Sequence, residues 1–300
     1  MESKQRRRVI CVGDLHGNYE ELCSLYNNLV AELGQAEVDF STFCFLGDYC
    51  DRGPDTRKVL DWLIEFKEAR DCDASKGEAL FVCGNHDFGM AAYLGALPTS
   101  TLLDFDLDST KPPSYAKGFW KHKIDGGMHY AGRRWGGSYV YEAKETFKSY
   151  DVEFHISKKK AREQFVEAVP DSHKEFLESL NWVVDIKVDF EPGRLVCVHA
   201  GLLPDNAEDQ ISALKKRDLQ APILFENGLV YRFAAFCGRE NVVSMPDELV
   251  GKSLLISGHH GFNMIGEERI IFDKSAGRPT AYKPLQALIL PERKIVTCLA

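Results

Sequence analysis

Three short polar clusters in the first ninety residues carry side chains that could hold a metal ion. They read GDLHG at 13–17, GDYCDRG at 47–53 and GNHD at 84–87. Each follows a short apolar run, so each is expected to be the loop at the carboxyl end of a buried strand. Because open α/β sheets bind ligands outside the carboxyl ends of their parallel strands, these carboxylates, imidazoles and the amide should converge at one edge. The sequence therefore predicts a metal centre there.

An alternation of strands and helices must position these loops. Apolar spacing of three and four residues predicts a helix over 19–33 that ends at Gly34. A second helix is expected from Pro54 to about Ala69, since proline suits a first helical turn. This strand and helix rhythm predicts a parallel sheet.

The later chain supplies two more strand ends that carry histidine. The apolar runs at 195–198 and 254–257 predict buried strands that deliver His199 and His259. A helical pattern covers 169–182, and short runs after residue 269 predict antiparallel strands that close a second sheet. The expected fold is α/β, a two-sheet sandwich flanked by helices.

Residues 98–134 show neither helical nor strand periodicity, and their second half is basic. Loops of this length inside a compact domain are usually functional or disordered, so we expect a lid or specificity insert. A solvated loop without substrate contact is the alternative.

Length and charge narrow the class of protein. A chain of 300 residues with 44% hydrophobic content can bury a large core, and motifs spread from residue 14 to residue 259 favour a single domain over 1–300. The net charge of −8 does not suit a duplex nucleic-acid binder.

The nine cysteines are scattered and form no CxxC pair, and no apolar run approaches the length of a membrane span. We therefore expect a reduced cytoplasmic protein without a membrane partner. The basic stretch KQRRR at 4–8 offers nuclear import as a further option.

The three clusters, in this order, resemble the GDxHG, GDxxDRG and GNHx motifs of the calcineurin-like metallophosphoesterases. The DRG ending at residues 51–53 resembles the phosphoprotein phosphatase family, and VHAG at 198–201 and SGH at 257–259 resemble its later motifs. The pattern WGG at 135–137 with TFKSY at 146–150 is similar to bacterial-like branches of that family. Among these, the plant Rhizobiales-like phosphatases are the most similar in the residues of the motifs. The resemblance therefore implies a four-layer metallophosphoesterase fold.

The resemblance implies two divalent ions, which would be Mn, Fe or Zn. It assigns Asp14 and His16 to one ion, Asn85, His199 and His259 to the other, and Asp48 to both. A donor set of oxygen and imidazole nitrogen suits these metals and is unlike a cysteine-rich structural zinc site. A hydroxide between the ions would attack phosphorus directly, without a covalent intermediate.

The DRG and GNH motifs also imply the residues that act on the substrate. Arg52 would clamp the phosphoryl group, His86 would protonate the leaving oxygen and Asp51 would orient His86. Cys50 and Cys83 lack phosphate-loop spacing and read as buried structural thiols. The second phosphate-binding arginine stays open between Arg232 and the group of Arg133, Arg134 and Arg239.

Two other positions depart from the family pattern or extend it. Asp87 stands where the GNHE form has glutamate, which alters the support of the ligands without removing one. His260, adjacent to His259, is a candidate for substrate contact or for support of the ligands. The SAPNY segment of eukaryotic serine/threonine phosphatases is missing, so the resemblance does not extend to their regulatory partners.

The resemblance implies a protein phosphatase that acts on phosphoproteins and prefers phosphotyrosine. The basic second half of residues 98–134 leads to a further hypothesis, that this stretch binds a second phosphate or acidic residues near the scissile phosphate, as in a doubly phosphorylated substrate. A serine/threonine phosphatase is one alternative, and an ApaH-like dinucleoside polyphosphate or cap pyrophosphohydrolase is another. A scaffold that has lost catalysis would lack a ligand or the clamp, and all of these residues are present.

Overall fold

Two five-stranded sheets form the centre of the protein. The computed structural model describes residues 6–97, 130–137, 141–155, 159–218, 221, 225–226, 229–275 and 277–299. The first sheet has the order β12-β11-β1-β2-β3. Its strands are β1 (Val9–Val12), β2 (Thr42–Phe45), β3 (Ala79–Phe81), β11 (Gln286–Leu290) and β12 (Lys294–Thr297).

The second sheet has the order β4-β5-β8-β10-β9. It is built from β4 (Val184–Lys187), β5 (Arg194–Cys197), β8 (Leu254–Ser257), β9 (Asn263–Ile265) and β10 (Arg269–Phe272). A separate hairpin joins β6 (Phe225–Glu226) to β7 (Leu229–Phe233).

Parallel pairing joins the strands that precede the polar loops. Strands β1, β2 and β3 run parallel in the first sheet, and β5, β8 and β10 run parallel in the second. The prediction that the closing strands extend the second sheet is wrong for β11 and β12. Strand β11 is buried along all five residues and pairs antiparallel with β1, where its apolar faces are covered on both sides.

The sequence of β1 explains why the sheets stack. Val9 and Cys11 face the second sheet and share a core cluster with Leu195 and Ile256. Ile10 and Val12 point the other way and pack with the helices. A strand with apolar residues on both faces needs cover on both sides, and this confirms the predicted sandwich flanked by helices.

The helices match the predictions in part. Helix α1 (Tyr19–Leu33) has the predicted bounds and is followed by α2 (Gln35–Phe40). Helix α3 (Thr56–Asp71) begins two residues later than predicted, since Asp55 and not Pro54 precedes its first turn. Gly34 ends α1 with φ of 82°, a conformation that glycine adopts at little cost.

The remaining helices surround the polar loops or the outer faces of the sheets. They are α4 (Asn85–Leu94), α5 (Tyr130–Gly137), α6 (Lys144–Ser149), α7 (Lys159–Ala168), α8 (Asp171–Ser179), α9 (Ala207–Lys215) and α10 (Ala234–Cys237). The helix predicted over 169–182 is shorter, because Pro170 separates α8 from α7. Residues 130–134, predicted as the end of the lid, lie in α5. Most of that prediction, 98–129, lies outside the described residues. Of the helices described, none is both long and apolar enough to cross a bilayer.

Candidate metal centre and active site

The loops that follow five parallel strands meet at one edge of the sandwich. Asp14, Asp48 and Asn85 come after β1, β2 and β3, while His199 and His259 come after β5 and β8. Asp48 lies at the centre of the group. One of its carboxylate oxygens, Oδ2, is 3.3 Å from His16 Nε2 and 3.2 Å from His199 Nε2.

The side chains form two sets that share Asp48. Ligand atoms of His16, Asp48 and His86 all lie within 4.8 Å of one another, and so do those of Asp48, His199 and His259. The other two predicted ligands are close by. Asp14 Oδ2 is 4.0 Å from His16 Nε2, and Asn85 Oδ1 is 3.3 Å from His199 Nε2. The structure thus brings all six predicted ligands together and adds His86 beside the first set.

The hydrogen bonds of the imidazoles leave nitrogen lone pairs facing the centre. His16 Nδ1 donates to the carbonyl of Cys50 and His199 Nδ1 donates to that of Leu46, each at 2.7 Å. Their Nε2 atoms then turn toward the Asp48 carboxylate, and the buried Nε2 of His259 has no hydrogen-bond partner among the residues that the structure describes. Imidazole nitrogens and a carboxylate this close together repel one another unless a proton or a metal cation lies between them, and metal-binding histidines usually donate their other N–H to a carbonyl in this way. The residues present therefore fit divalent cations.

The charge and burial of the site also favour bound cations. Burial, together with the neighbouring Asp273, raises the pKa of Asp14 well above its usual range. Burial opposes a charged ring at His199, yet the carboxylates of Asp48 and Asp14 raise its pKa to about 10. Buried carboxylates of this kind need positive charge nearby, which bound cations supply.

Several of these side chains sit on strained backbone. His16, Asp48, Asp51, Arg52 and His259 all have φ between 45° and 71°. This left-handed region is unfavourable for side chains with a Cβ atom, and such conformations concentrate at functional sites. Close packing holds the loops in place. A Cβ atom on Gly84 would lie 2.1 Å from Asp48 Oδ1.

Asp87 supports the loop that carries Asp48. Its carboxylate accepts the backbone N–H groups of Asp48 at 2.7 Å, Tyr49 at 2.8 Å and Gly84 at 2.9 Å. The shorter aspartate therefore still reaches this loop, where the family pattern has glutamate. Burial and the nearby Asp48 raise the pKa of Asp87 to about 7.

Arg52, His86 and Asp51 form a chain of contacts at the floor of the site. Arg52 Nη1 is 2.9 Å from His16 Nε2, and its Nη2 is 3.2 Å from His86 Nε2. On the other side of the ring, His86 Nδ1 lies 2.7 Å from Asp51 Oδ2. Burial lowers the pKa of His86 to about 4 and raises that of Asp51 to about 7. The guanidinium can bind a phosphoryl group while the carboxylate orients the imidazole.

A cleft opens above these residues. Its walls carry guanidinium groups, an amide, imidazoles, a phenol and a thiol, from Arg52, Asn85, His86, Arg134, Tyr141, Cys237, Arg239 and His259. Of the four arginines left open by the sequence, Arg134 and Arg239 thus line the cleft. The side chains of Arg133 and Arg232 lie outside the described part of the structure.

The histidine next to His259 has a different environment. His260 is half-buried, and its Nε2 donates to the carbonyl of Ala200 at 2.8 Å. This bond ties the loop after β8 to the loop after β5. This contact favours a role for His260 in supporting the ligand loops over a role in substrate contact.

Sequence reasoning assigned no role to three residues around the site. The Trp135 indole and the Thr146 hydroxyl bond to Asp51, each at 2.7 Å, and the Tyr141 ring lies edge-on to His86 with centroids 5.0 Å apart. Trp135 and Thr146 belong to the motif noted at 135–150, so the motif was visible but its target was not.

The chain is similar to several known phosphoesterases. The chain is 34% identical over 89 residues to a zinc-dependent endopolyphosphatase of Saccharomyces cerevisiae. The matched segment covers 29% of this chain and only 23% of that relative. A candidate diadenosine tetraphosphatase has a similar structure, with a TM-score of 0.52 and 16% identity over 98% of this chain and 94% of its own. A cold-active protein-tyrosine phosphatase of a psychrophilic Shewanella species has a TM-score of 0.50 and 14% identity, over 97% and 77%.

These two structural similarities show a shared fold. The family model described as calcineurin-like phosphoesterase matches residues 7–270, which is most of the chain. The chain therefore belongs to the calcineurin-like phosphoesterase family, whose members use two divalent metal ions.

Proposed function

We propose that the protein is a metal-dependent protein phosphatase that hydrolyses phosphomonoesters, with phosphotyrosine preferred. The observation that carries the proposal is the chain of Arg52, His86 and Asp51 beside two ligand sets that share Asp48, at the floor of one cleft. Bound divalent ions would polarise the phosphoryl oxygens and supply hydroxide at neutral pH. Asp14, His16, Asp48, Asn85, His199 and His259 would hold them.

The protein side chains would do the rest of the chemistry. The Arg52 fork would bind two phosphoryl oxygens and stabilise charge that develops in the transition state. His86 would give a proton to the leaving oxygen, and Asp51 would keep the ring in the required orientation. The buried setting of this pair excludes water that would otherwise compete for those hydrogen bonds.

Two features of the cleft support an aromatic, highly charged substrate. Tyr141 forms a wall beside His86, where the ring of a phosphotyrosine would leave. Arg134 and Arg239 add two cations to Arg52, and guanidinium groups bind phosphate well. A phosphoprotein with a second phosphate near the first is therefore the proposed substrate class.

The same arginines favour a second candidate, hydrolysis of dinucleoside polyphosphates. A polyphosphate chain would place several charges along the cleft, and the candidate diadenosine tetraphosphatase covers nearly the whole chain. Serine/threonine phosphatase activity would use the same metal chemistry without the aromatic contact.

One experiment separates these candidates. Rates are measured in Mn²⁺ for one peptide that carries phosphotyrosine, phosphothreonine or both, and for diadenosine tetraphosphate in parallel. Preference for the phosphotyrosine forms would support the proposal, and faster turnover of the doubly phosphorylated peptide would support the second phosphate site. Preference for phosphothreonine or for the dinucleotide would overturn the tyrosine assignment.

A matched variant tests the site itself. His86→Asn is expected to lower kcat by about 100-fold or more, because it removes the proton donor. The control is His155→Asn, which changes a histidine on the described surface whose partner is Glu153. Equal activity of His86→Asn and the control would contradict the assigned role.

A further inference from the structure

The Asp51 carboxylate is fully buried and is held by three side-chain donors. His86 Nδ1 and Trp135 Nε1 each donate to Oδ2 at 2.7 Å, and the Thr146 hydroxyl donates to Oδ1 at 2.7 Å. The backbone N–H of Asp51 donates back to the Thr146 hydroxyl oxygen at 2.9 Å. Both carboxylate oxygens are thus engaged, and the side chain has one orientation available.

Close helix packing places the indole at Asp51. A Cβ atom on Gly132 would lie 2.4 Å from Tyr93 N, and one on Gly136 would lie 2.1 Å from Tyr93 Cε2. These glycines are four residues apart, so they share the face of α5 that rests on α4. Gly89 on α4 leaves room for the Trp135 ring, whose Cδ1 would be 3.0 Å from a Cβ there. Larger residues at these positions would push α5 away from Asp51.

An aromatic cluster fixes the orientation of the indole. Trp135 is fully buried, and its ring lies 5.2 Å from Tyr93, 5.5 Å from Phe147 and 5.6 Å from Phe165 between centroids. Rings packed on several sides have few rotamers open to them. The indole N–H is therefore held toward Asp51 before any substrate binds.

Helix α5 also reaches the cleft through the preceding residue. Arg134 lines the cleft that holds Arg52 and His86, while Trp135 points into the core. One short helix thus contacts both the space for substrate and the support of His86.

We propose that Trp135 and Thr146 are positioning residues for proton donation by His86, a proposal that rests on the phosphomonoesterase function above. They hold Asp51, which holds the imidazole toward the leaving oxygen. Once the Arg52 guanidinium turns from His86 Nε2 to the phosphoryl oxygens, Nε2 can take up a proton from water. As the P–O ester bond breaks, its electron pair goes to the leaving oxygen and this proton moves to the same oxygen. Water supplies the hydroxyl for the new P–O bond, and its other proton restores the ring.

Leaving-group dependence is the test. Trp135→Phe keeps an aromatic ring and removes the N–H, and kinetics are measured on aryl phosphates from nitrophenyl to unsubstituted phenyl. A basic leaving group needs the proton most, so we expect kcat to fall about tenfold or more for phenyl phosphate and about twofold or less for nitrophenyl phosphate. KM should stay within about twofold.

Three further variants keep the test independent of folding defects. Thr146→Val should steepen the dependence of kcat on the leaving group, as Trp135→Phe does. Thr146→Ser keeps the hydroxyl and should show the dependence of the unaltered protein. Trp62→Phe makes the same exchange in a separate aromatic cluster, with Phe45 and Phe66, and should leave the dependence unchanged.

Each outcome decides something different. A uniform loss of rate across the series in Trp135→Phe and Thr146→Val, or an equal steepening in Trp62→Phe, would overturn the positioning role. If the unaltered protein with Mn²⁺ hydrolyses no aryl phosphate, the proposed function itself fails, and the positioning role fails with it.

Discussion

Replacing Gly84 with alanine tests whether the position of Asp48 controls the metal centre. The new Cβ atom would lie 2.1 Å from Asp48 Oδ1 and 2.4 Å from Asp48 N, while ordinary contacts begin at 3.4 Å. Relief of the first contact alone needs a shift of about 1.3 Å, the difference between 3.4 and 2.1 Å. The backbone at Gly84, with φ of −86°, tolerates alanine, so steric overlap is the cause of any effect.

The expected losses follow from that displacement. Misplacement by about 1 Å can cost about 100-fold in rate, and overpacking of a buried site destabilises by about 1–3 kcal/mol. We therefore expect Gly84→Ala to lower kcat/KM about 100-fold and to weaken Mn²⁺ binding about tenfold or more. Steady-state kinetics and titration calorimetry on the metal-stripped protein measure the two effects.

A second glycine separates geometry from stability. Gly251 has φ of 71°, and no heavy atom of the described residues lies within 4 Å of its added Cβ, so alanine there strains the backbone without touching Asp48. Gly251→Ala should lose about 1–2 kcal/mol of stability and keep its activity. If Gly84→Ala binds Mn²⁺ like the unaltered protein and stays within twofold of its rate, the glycine contact does not control the position of Asp48.

Three further predictions concern substrate charge, metal and pH. Arg134→Met should raise KM for a doubly phosphorylated peptide about tenfold with little change in kcat, and a fall in kcat alone would contradict a binding role. A chelator should abolish hydrolysis and lower the melting temperature, with both restored by Mn²⁺ or Zn²⁺, and persistent activity in the stripped protein would contradict a metal mechanism. Burial lowers the pKa of His173, whose ring nitrogens contact Tyr150 and Asp61. As the pH falls, this histidine is therefore protonated in the unfolded state before it is protonated in the folded state. The free energy of unfolding should therefore fall as the pH drops below about 6.5, and His173→Gln should flatten that dependence in urea titrations.

Local patterns predicted much of the fold. The β1 to β3 region alternates apolar strands with amphipathic helices, and α1 begins and ends where its spacing and Gly34 indicate. Pairing over long distances was harder to predict. The sequence of β11 (Gln286–Leu290) does not indicate whether it pairs with β1 or with β10, because either partner would cover its apolar faces.

The candidate site divides in the same way. Motif residues such as Asp48 and His199 could be named from their loops, and the structure brings them together. Trp135 and Thr146 could not be assigned to Asp51, because an indole or hydroxyl has no preferred partner until tertiary packing supplies one. The single-domain organisation and the lid over 98–134 stay predictions.

The left-handed backbone at His16, Asp48, Asp51, Arg52 and His259 has a consequence for protein engineering. Glycine at each of these positions would lower the conformational energy of the backbone by about 1 kcal/mol or more. In metal-free conditions, selection of variants for heat resistance alone would therefore reward the loss of ligand side chains such as His16 and Asp48. A library built to stabilise this protein needs a selection for turnover at every round, or it will converge on a robust and inert fold.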